Sequence, residues 1–287
     1  MMMTGKTQNL GVMGWPVAHS LSPVLQQAAI AAAGLDYAYI ALPVRPEDLP
    51  AAVAGLRALQ FRGWNVTIPH KQAIMAELDE IDEAARAIGA VNTVVNDDGR
   101  LKGYNTDCTG CIMGLTAQGF DVRGKRAVLL GGGGAARAII YGLLTHSAAQ
   151  VTVGARNAAK IAPLATDFAA YGTVVTMDWQ SANFTQALGD ADLLINATPL
   201  GMVPHVDAMP PVDWAQVKQD AFVYDIIYTP AETLFLRTAR EHGHRTLNGE
   251  LMLAGQGAAA LRLWTGVEPD LAVMQQALHQ ALAGAGV

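Results

Sequence analysis

Short apolar runs alternate with stretches of helical period along most of the chain. Near the start an apolar run closes on Gly11 and Gly14, and Ser22-Pro23 then opens a helix to about Gly34, with Ser22 read as the N-cap and Pro23 in the first turn. Residues 37–42 read as a strand, 46–60 as a helix with Leu49, Val53 and Leu56 on one face, and 61–67 as another strand. This alternation favours a parallel sheet covered by helices. Residues 92–106 turn at Asp97-Asp98-Gly99 and look like an added antiparallel hairpin.

From Arg126 the pattern becomes more regular. An apolar strand at 127–130 runs into four glycines, a helix to about His146 and a second strand at 151–153, and further strands are expected at 173–177, 192–197 and 222–227. Two Ala-rich amphipathic helices, 250–264 and 271–282, close the chain and are placed with the first domain. The expected fold is α/β: an N-terminal mixed α/β domain of residues 1–106, completed by 249–287, and a Rossmann dinucleotide-binding domain of residues 107–248, with a cleft between them.

A chain of 287 residues, 51% hydrophobic and 15% charged, is long enough for two cores. A net charge of −6 without a Lys/Arg cluster argues against a nucleic-acid partner. The N-terminus lacks the pattern of a secretory signal, and no apolar stretch approaches the roughly 18 to 20 residues of a membrane span, so a cytoplasmic location is expected. No metal site is expected. The two cysteines, Cys108 and Cys111, invite a redox reading, but small helix-packing residues are the simpler one.

The chemistry begins at the glycine turn. Gly131, Gly132, Gly133, Gly134 and Ala135 follow a strand and open a helix, with a spacing that fits Gly-x-Gly-x-x-Ala through Ala136. Gly131 suits a tight turn, Gly133 lets backbone approach a pyrophosphate, and Ala136 permits close helix packing. A glycine turn can also be purely structural; here the flanking strands and helix favour the nucleotide reading. After the second strand no acid follows to accept ribose hydroxyls. Arg156 and Lys160 stand there, four apart, and favour the 2′-phosphate of NADP over NAD, unless they are simply two solvated charges at a helix start.

Upstream, Lys71 lies just beyond a strand stopped by Pro69, and Asp107 follows a strand and starts a helix. Taken singly, the first reads as a surface charge and the second as an N-cap. Together with Gly14-x-Pro16-x-Ala18-His19-Ser20-Leu21-Ser22-Pro23, Asn65-Val66-Thr67-Ile68-Pro69-x-Lys71, Gly89-Ala90-Val91-Asn92-Thr93, Asn105-Thr106-Asp107, Asn196 to Met202, Asp225-x-x-Tyr228-x-Pro230 and Gln256, they give the chain a strong overall likeness. It resembles the shikimate/quinate dehydrogenase family over nearly its whole length.

The resemblance implies hydride transfer between NADP, or alternatively NAD, and the C3 hydroxyl or ketone of a cyclic hydroxy acid in aromatic amino acid biosynthesis, by a monomer or homodimer. It implies that Ser20, Ser22, Thr67 and Tyr228 hold the substrate carboxylate, that Asn92, Asp107 and Gln256 bind ring hydroxyls, and that Lys71 exchanges the proton while Asp107 supports it. The resemblance also implies that Thr198, Met202 and Gly249 join the glycine turn around the cofactor. Where the family shows Asp-Gly-Leu-Gly-Met-Leu, this chain has Asn248-Gly249-Glu250-Leu251-Met252-Leu253, and Trp64 stands where small residues are common. These departures leave room for a second reading, a cofactor-binding paralogue with little or no catalysis.

Overall fold

The apolar runs assemble into two six-stranded sheets in a computed structural model that describes residues 3–284. In chain order the first half contains β1 (Gln8–Gly14), α1 (Ser22–Ala32), β2 (Tyr37–Pro43), α2 (Leu49–Ala58), β3 (Gly63–Val66), β4 (Glu80–Ile81), α3 (Glu83–Ile88), β5 (Thr93–Asp97) and β6 (Arg100–Tyr104). Their sheet has the order β2-β1-β3-β5-β6-β4. β1 runs parallel to both its neighbours, whereas β5 is antiparallel to β3 and to β6. The β5–β6 hairpin turns on Asp98 and Gly99, both with positive φ (49° and 91°), the backbone twist that suits a two-residue turn between right-twisted strands.

Successive strand residues face opposite sides of this sheet. Met13, Trp64 and Val66 pack with Leu49, Val53 and Leu56 of α2 on one side. Leu10, Val12, Tyr39 and Val95 meet Leu25, Ala29 and Ile30 of α1 on the other. Trp64 is therefore a core residue, fully buried. The side chain that β3 presents to the opposite face is Asn65.

The second sheet is built from β7 (Arg126–Leu130), β8 (Gln150–Ala155), β9 (Val174–Asp178), β10 (Leu193–Asn196), β11 (Phe222–Asp225) and β12 (Arg245–Leu247), preceded by α4 (Asp107–Ala117). The intervening helices are α5 (Gly134–Thr145), α6 (Ala158–Ile161), α7 (Pro163–Asp167), α8 (Ala182–Gly189) and α9 (Leu234–Glu241). All pairings are parallel, in the order β12-β11-β10-β7-β8-β9. This is the doubly wound order of dinucleotide-binding sheets, whose strand order reverses beside β7 and β10. Apolar residues cover both faces, with Leu129, Val151 and Ile195 on one and Val128, Leu130 and Leu194 on the other. Such two-sided burial is why these strands read as continuous apolar runs.

The chain ends with α10 (Glu250–Thr265) and α11 (Leu271–Gly284). Ala254, Ala258, Leu261, Trp264 and Met274 of these helices join the core around α1. Among the described residues, the first compact unit comprises 3–110 and 253–284, the second Cys111 to Met252. The junctions thus fall within α4 and α10, each four residues beyond the boundaries expected at 106 and 248.

Three local expectations change. Leu21, not Ser22, is the N-cap of α1, and Ser22 is its first helical residue. The 46–60 helix begins with a separate 3-10 turn at Pro46–Asp48 before α2. Two short strands, β4 and β12, carry too few residues to show a period of two, and neither was expected from the sequence.

Candidate active site

In the first unit, the end of β3 and the start of α4 bring a cation and an anion together. Past Val66 the chain turns through a bond from His70 N–H to the Thr67 carbonyl (2.9 Å), and the His70 ring is tied to the Val44 carbonyl (2.7 Å). Val91 N–H then donates to the Lys71 carbonyl (2.8 Å), so the backbone is held at the residue that carries the amine. Asp107 opens α4, where unpaired helix amides favour an anion. Its own N–H donates to Asn105 Oδ1 (3.0 Å), and Asn105 Nδ2 donates to the Ala90 carbonyl (2.9 Å). Asn105 is thus a turn-former that sets the helix start.

The Lys71 Nζ lies 2.5 Å from Asp107 Oδ2, with 20% and 9% of the two side chains exposed. Asn92 Nδ2 donates to the other oxygen, Oδ1, at 2.7 Å. Two residues 36 apart in sequence therefore form one partly buried ion pair, oriented by a third side chain. Taken singly, each was legible only as a surface charge or a helix cap. An amine that keeps some access to solvent beside a carboxylate held from two sides can give and take a proton at a fixed place.

The other expected residues of this unit are polar groups with spare capacity. Ser20 Oγ accepts from Ser22 N–H (3.3 Å) and keeps its own hydrogen to donate. Ser22 is buried in the first turn of α1. Thr67 stands partly exposed at the end of β3, its N–H bonded to the Met13 carbonyl (2.8 Å). Gln256 lies on α10, nearly buried, with Nε2 donating to the Leu253 carbonyl (3.0 Å) and Oε1 left to accept. Sequence reasoning assigned no role to Tyr39, which bonds Asn65, or to Thr93, which bonds Asn65 and Asn92. Neither has a local signal, since each reads as an ordinary strand residue.

In the second unit, the turn after β7 is shaped to admit a bulky anion. Gly131 has φ +100°, and a Cβ there would stand 2.9 Å from Thr198 Cγ2 and 3.1 Å from the Ala197 carbonyl oxygen, so only glycine fits beside β10. A Cβ at Gly132 would meet Ile161 Cγ2 at 2.3 Å, whereas at Gly133 and Gly134 it would meet nothing within 4 Å. Gly133 is the N-cap of α5, and no side chain caps that helix. Open space in front of uncapped amides is what a diphosphate requires, and the residues present fit one. Ala135 lies partly buried beside the turn, and Ala136 is fully buried.

Arg156 and Lys160 are both exposed, one just past β8 and the other on α6, and neither forms a salt bridge among the described residues. Asn157 between them caps α6 through the Lys160 N–H (3.2 Å). Thr198 donates to Asn196 Oδ1 from its hydroxyl (2.7 Å) and from its N–H (3.0 Å), and Met202 is 42% exposed. Tyr228 is partly buried, and burial pushes its phenol above the ordinary range, so it stays a donor at neutral pH.

Beneath Thr198, Asp225 is fully buried and accepts from Asn196 Nδ2 (3.1 Å), Ile227 N–H (3.1 Å) and Thr233 Oγ1 (2.7 Å). Burial still raises its carboxyl to about 6, against those three donors. The Asn196 and Asp225 motifs are therefore a scaffold that fixes the ends of β10 and β11.

The departures at 248–251 are accommodated locally. Gly249 is obligatory, because a Cβ would lie 2.0 Å from the Ile226 carbonyl oxygen. Asn248 Nδ2 donates to the Glu250 carboxylate (2.7 Å), which sits in the first turn of α10, and Leu251 packs against the core of the second unit. Both cysteines are thiols; burial raises Cys108, and Cys111 lies in the core. A buried, protonated thiol is a poor nucleophile, which disfavours a redox switch. The described residues contain no cluster able to hold a metal ion and no helix long and apolar enough to cross a membrane.

A doubly wound parallel sheet with an open glycine turn, joined in one chain to a mixed sheet bearing a lysine–aspartate pair, defines the dinucleotide-dependent dehydrogenase class. Residues 12–94 match the model of the shikimate dehydrogenase substrate binding domain, and residues 249–279 that of the shikimate 5'-dehydrogenase C-terminal domain. The shikimate dehydrogenase (NADP(+)) of Moorella thermoacetica is 47% identical over 95% of this chain and 93% of its own. A solved shikimate dehydrogenase in complex with NADP+ superposes with a TM-score of 0.91 at 39% identity, covering 98% of each chain. The Thermus thermophilus enzyme in complex with NADP(H) and shikimate gives 0.87 at 37% identity, over 96% of this chain and 100% of that one. The chain belongs to the shikimate dehydrogenase family.

Proposed function

We propose that this protein is an NADP-dependent dehydrogenase that interconverts shikimate and 3-dehydroshikimate, acting in the cytoplasm as a monomer or homodimer. The observation that carries the reading is the Lys71–Asp107 ion pair, 2.5 Å apart and backed by Asn92. Residues 1–106 with 249–287 serve as the substrate-binding part and 107–248 as the cofactor-binding part.

In this reading the ring carboxylate is held by hydroxyl donors of Ser20, Ser22, Thr67 and Tyr228, and the ring hydroxyls by Asn92, Asp107 and Gln256. NADP, when bound, accepts or supplies the hydride at the ring carbon. Residues 131–135 would hold its diphosphate, Arg156 and Lys160 its 2′-phosphate, and Thr198, Met202 and Gly249 would supply the remaining contacts. In the reductive direction the Lys71 ammonium gives a proton to the ketone oxygen as hydride reaches the ring carbon; in the oxidative direction the lysine first releases its proton to solvent and, as the neutral amine, takes the hydroxyl proton as hydride leaves. Asp107 keeps the lysine in place and balances its charge. The accommodation of Glu250 and Leu251 by local contacts supports catalysis over a merely cofactor-binding role.

The experiment is a cofactor-absorbance assay with shikimate and with quinate, each against NADP and NAD. Turnover of shikimate with NADP is expected to dominate. Absence of turnover in all four combinations would reject the proposal, and a preference for quinate or NAD would revise its substrate or its cofactor.

A further inference from the structure

We propose that Thr93 is a positioning residue for the proton-transfer pair: it is the junction of a one-way chain of hydrogen-bond donors that starts at Tyr39, passes through Asn65 and Asn92, and ends on the carboxylate of Asp107. The inference rests on the reading of Lys71 and Asp107 given above, and it assigns work to three buried strand residues, Tyr39, Asn65 and Thr93, that never touch the substrate in that reading.

The direction of the chain follows from groups that can only donate or only accept. Thr106 N–H donates to the Asn92 side chain at 2.8 Å, so the atom facing it must be the oxygen, and the amide nitrogen must face Asp107. The Asn92 main-chain carbonyl can only accept, and the Asn65 side chain contacts it at 3.1 Å, so the Asn65 nitrogen is there and its oxygen faces Tyr39. Hence the Tyr39 hydroxyl donates to Asn65 Oδ1 (2.6 Å). Asn65 Nδ2 donates to Thr93 Oγ1 (3.0 Å), and the Thr93 hydroxyl, having accepted, donates to Asn92 Oδ1 (2.9 Å). Asn92 Nδ2 then donates to Asp107 Oδ1 (2.7 Å).

Every bond dipole in this series points the same way, with its positive end toward the carboxylate. Aligned hydrogen bonds in a dry interior polarise one another, so the whole series favours the negative charge at its end, and the Thr93 hydroxyl adds to the Thr106 N–H in holding the Asn92 amide in one orientation. Its first donor is dependable because burial lifts the Tyr39 phenol well above its ordinary range. Register makes the series possible. Asn65 and Thr93 are directly opposed across β3 and β5, and β1 lies between β2 and β3. Tyr39, Asn65, Asn92 and Thr93 are all buried, so no water competes for these groups at the surface.

Thr93→Val keeps the shape of the side chain and removes the hydroxyl; Thr93→Ser keeps the hydroxyl. Both are compared with the parent chain, and with Tyr39→Phe, in two readouts: kcat and KM for shikimate with NADP, and exchange of the Asn92 side-chain amide hydrogens followed by NMR. The valine variant is expected to lose about tenfold in kcat, the effect of one buried hydrogen bond, with KM within about twofold, while Asn92 amide exchange accelerates about tenfold. Serine restores both readouts, and Tyr39→Phe gives a smaller kcat loss of about threefold. Unchanged kcat and exchange in the valine variant, or an equal loss with serine, would overturn the proposal. If the valine variant does not fold, unchanged kcat and exchange in Tyr39→Phe overturn it. If the parent chain turns over no ring acid, the functional reading falls on its own; the exchange readout still decides, with acceleration in valine but not serine upholding the chain and equal exchange in both rejecting it.

Discussion

Asn92 donates its amide to Asp107 Oδ1 at 2.7 Å, on the oxygen that Lys71 does not contact. The carboxylate is therefore gripped from both sides and cannot rotate away from the lysine without breaking one bond or the other. A proton-transfer group needs such a fixed geometry more than it needs raw basicity.

Removal of the amine should abolish chemistry and spare cofactor binding. Lys71→Ala is expected to lower kcat by roughly 10²- to 10⁴-fold, the usual worth of a positioned acid–base group, and Asp107→Asn by a smaller but comparable factor. Fluorescence titration with NADPH should give a Kd within about threefold of the parent in both. A variant that turned over normally would remove the lysine from the mechanism.

Arg156 and Lys160 should decide between the two nicotinamide cofactors. Both are exposed, so each contact with a phosphate is worth little more than a surface ion pair, and the KM for NADP should rise about three- to tenfold in Arg156→Ala or Lys160→Ala. The KM for NAD should stay level. Equal changes for both cofactors would point to a structural effect at the start of α6.

Gly249 should tolerate no side chain. With the Ile226 carbonyl oxygen 2.0 Å from the position of a Cβ, Gly249→Ala must displace backbone between β12 and α10. A loss of roughly 2–4 kcal/mol is expected, read as a fall in Tm of several degrees, whereas Gly133→Ala, with nothing in reach of its Cβ, should melt near the parent and weaken NADP binding instead.

Asp225 should leave a signature in the pH dependence of stability. Its folded carboxyl titrates near 6, above the ordinary 3.8, so the folded protein binds the extra proton between those values. The stabilising contribution is full below about pH 4 and is lost as pH rises through about 6, amounting to a cost on the order of 1–3 kcal/mol at neutral pH. Asp225→Asn should flatten this slope in denaturant titrations from pH 4 to 7, while Asp225→Ala, which strands the donors of Asn196, Ile227 and Thr233, should be destabilised throughout. Parallel slopes for Asp225→Asn and the parent would refute the assignment.

Much was legible before any coordinates. The Gly131–Gly134 turn, the Asp98-Gly99 hairpin, the helices that close the chain and the resemblance carried by Lys71, Asp107 and their neighbouring motifs all reside in local backbone preference and short spacings. Glycine marks most of the positive-φ positions, Asp98 being one exception, and apolar period marks which face of an element is buried. Both signals are complete within a few residues, so the chain alone determined the α/β class, the nucleotide-type turn and the candidate groups of the site.

Strand register and packing decided the rest. Trp64 turns into the core because β3 alternates its side chains, and the same alternation sends Asn65 to meet Tyr39 and Thr93. Ser22 yields the cap of α1 to Leu21 and becomes the first residue of the helix instead. The pairing of Lys71 with Asp107, and the line of donors that ends on that carboxylate, depends on which strands lie side by side and which residues are opposed. Those are long-range choices made by the burial of whole sheet faces, and no window of sequence contains them.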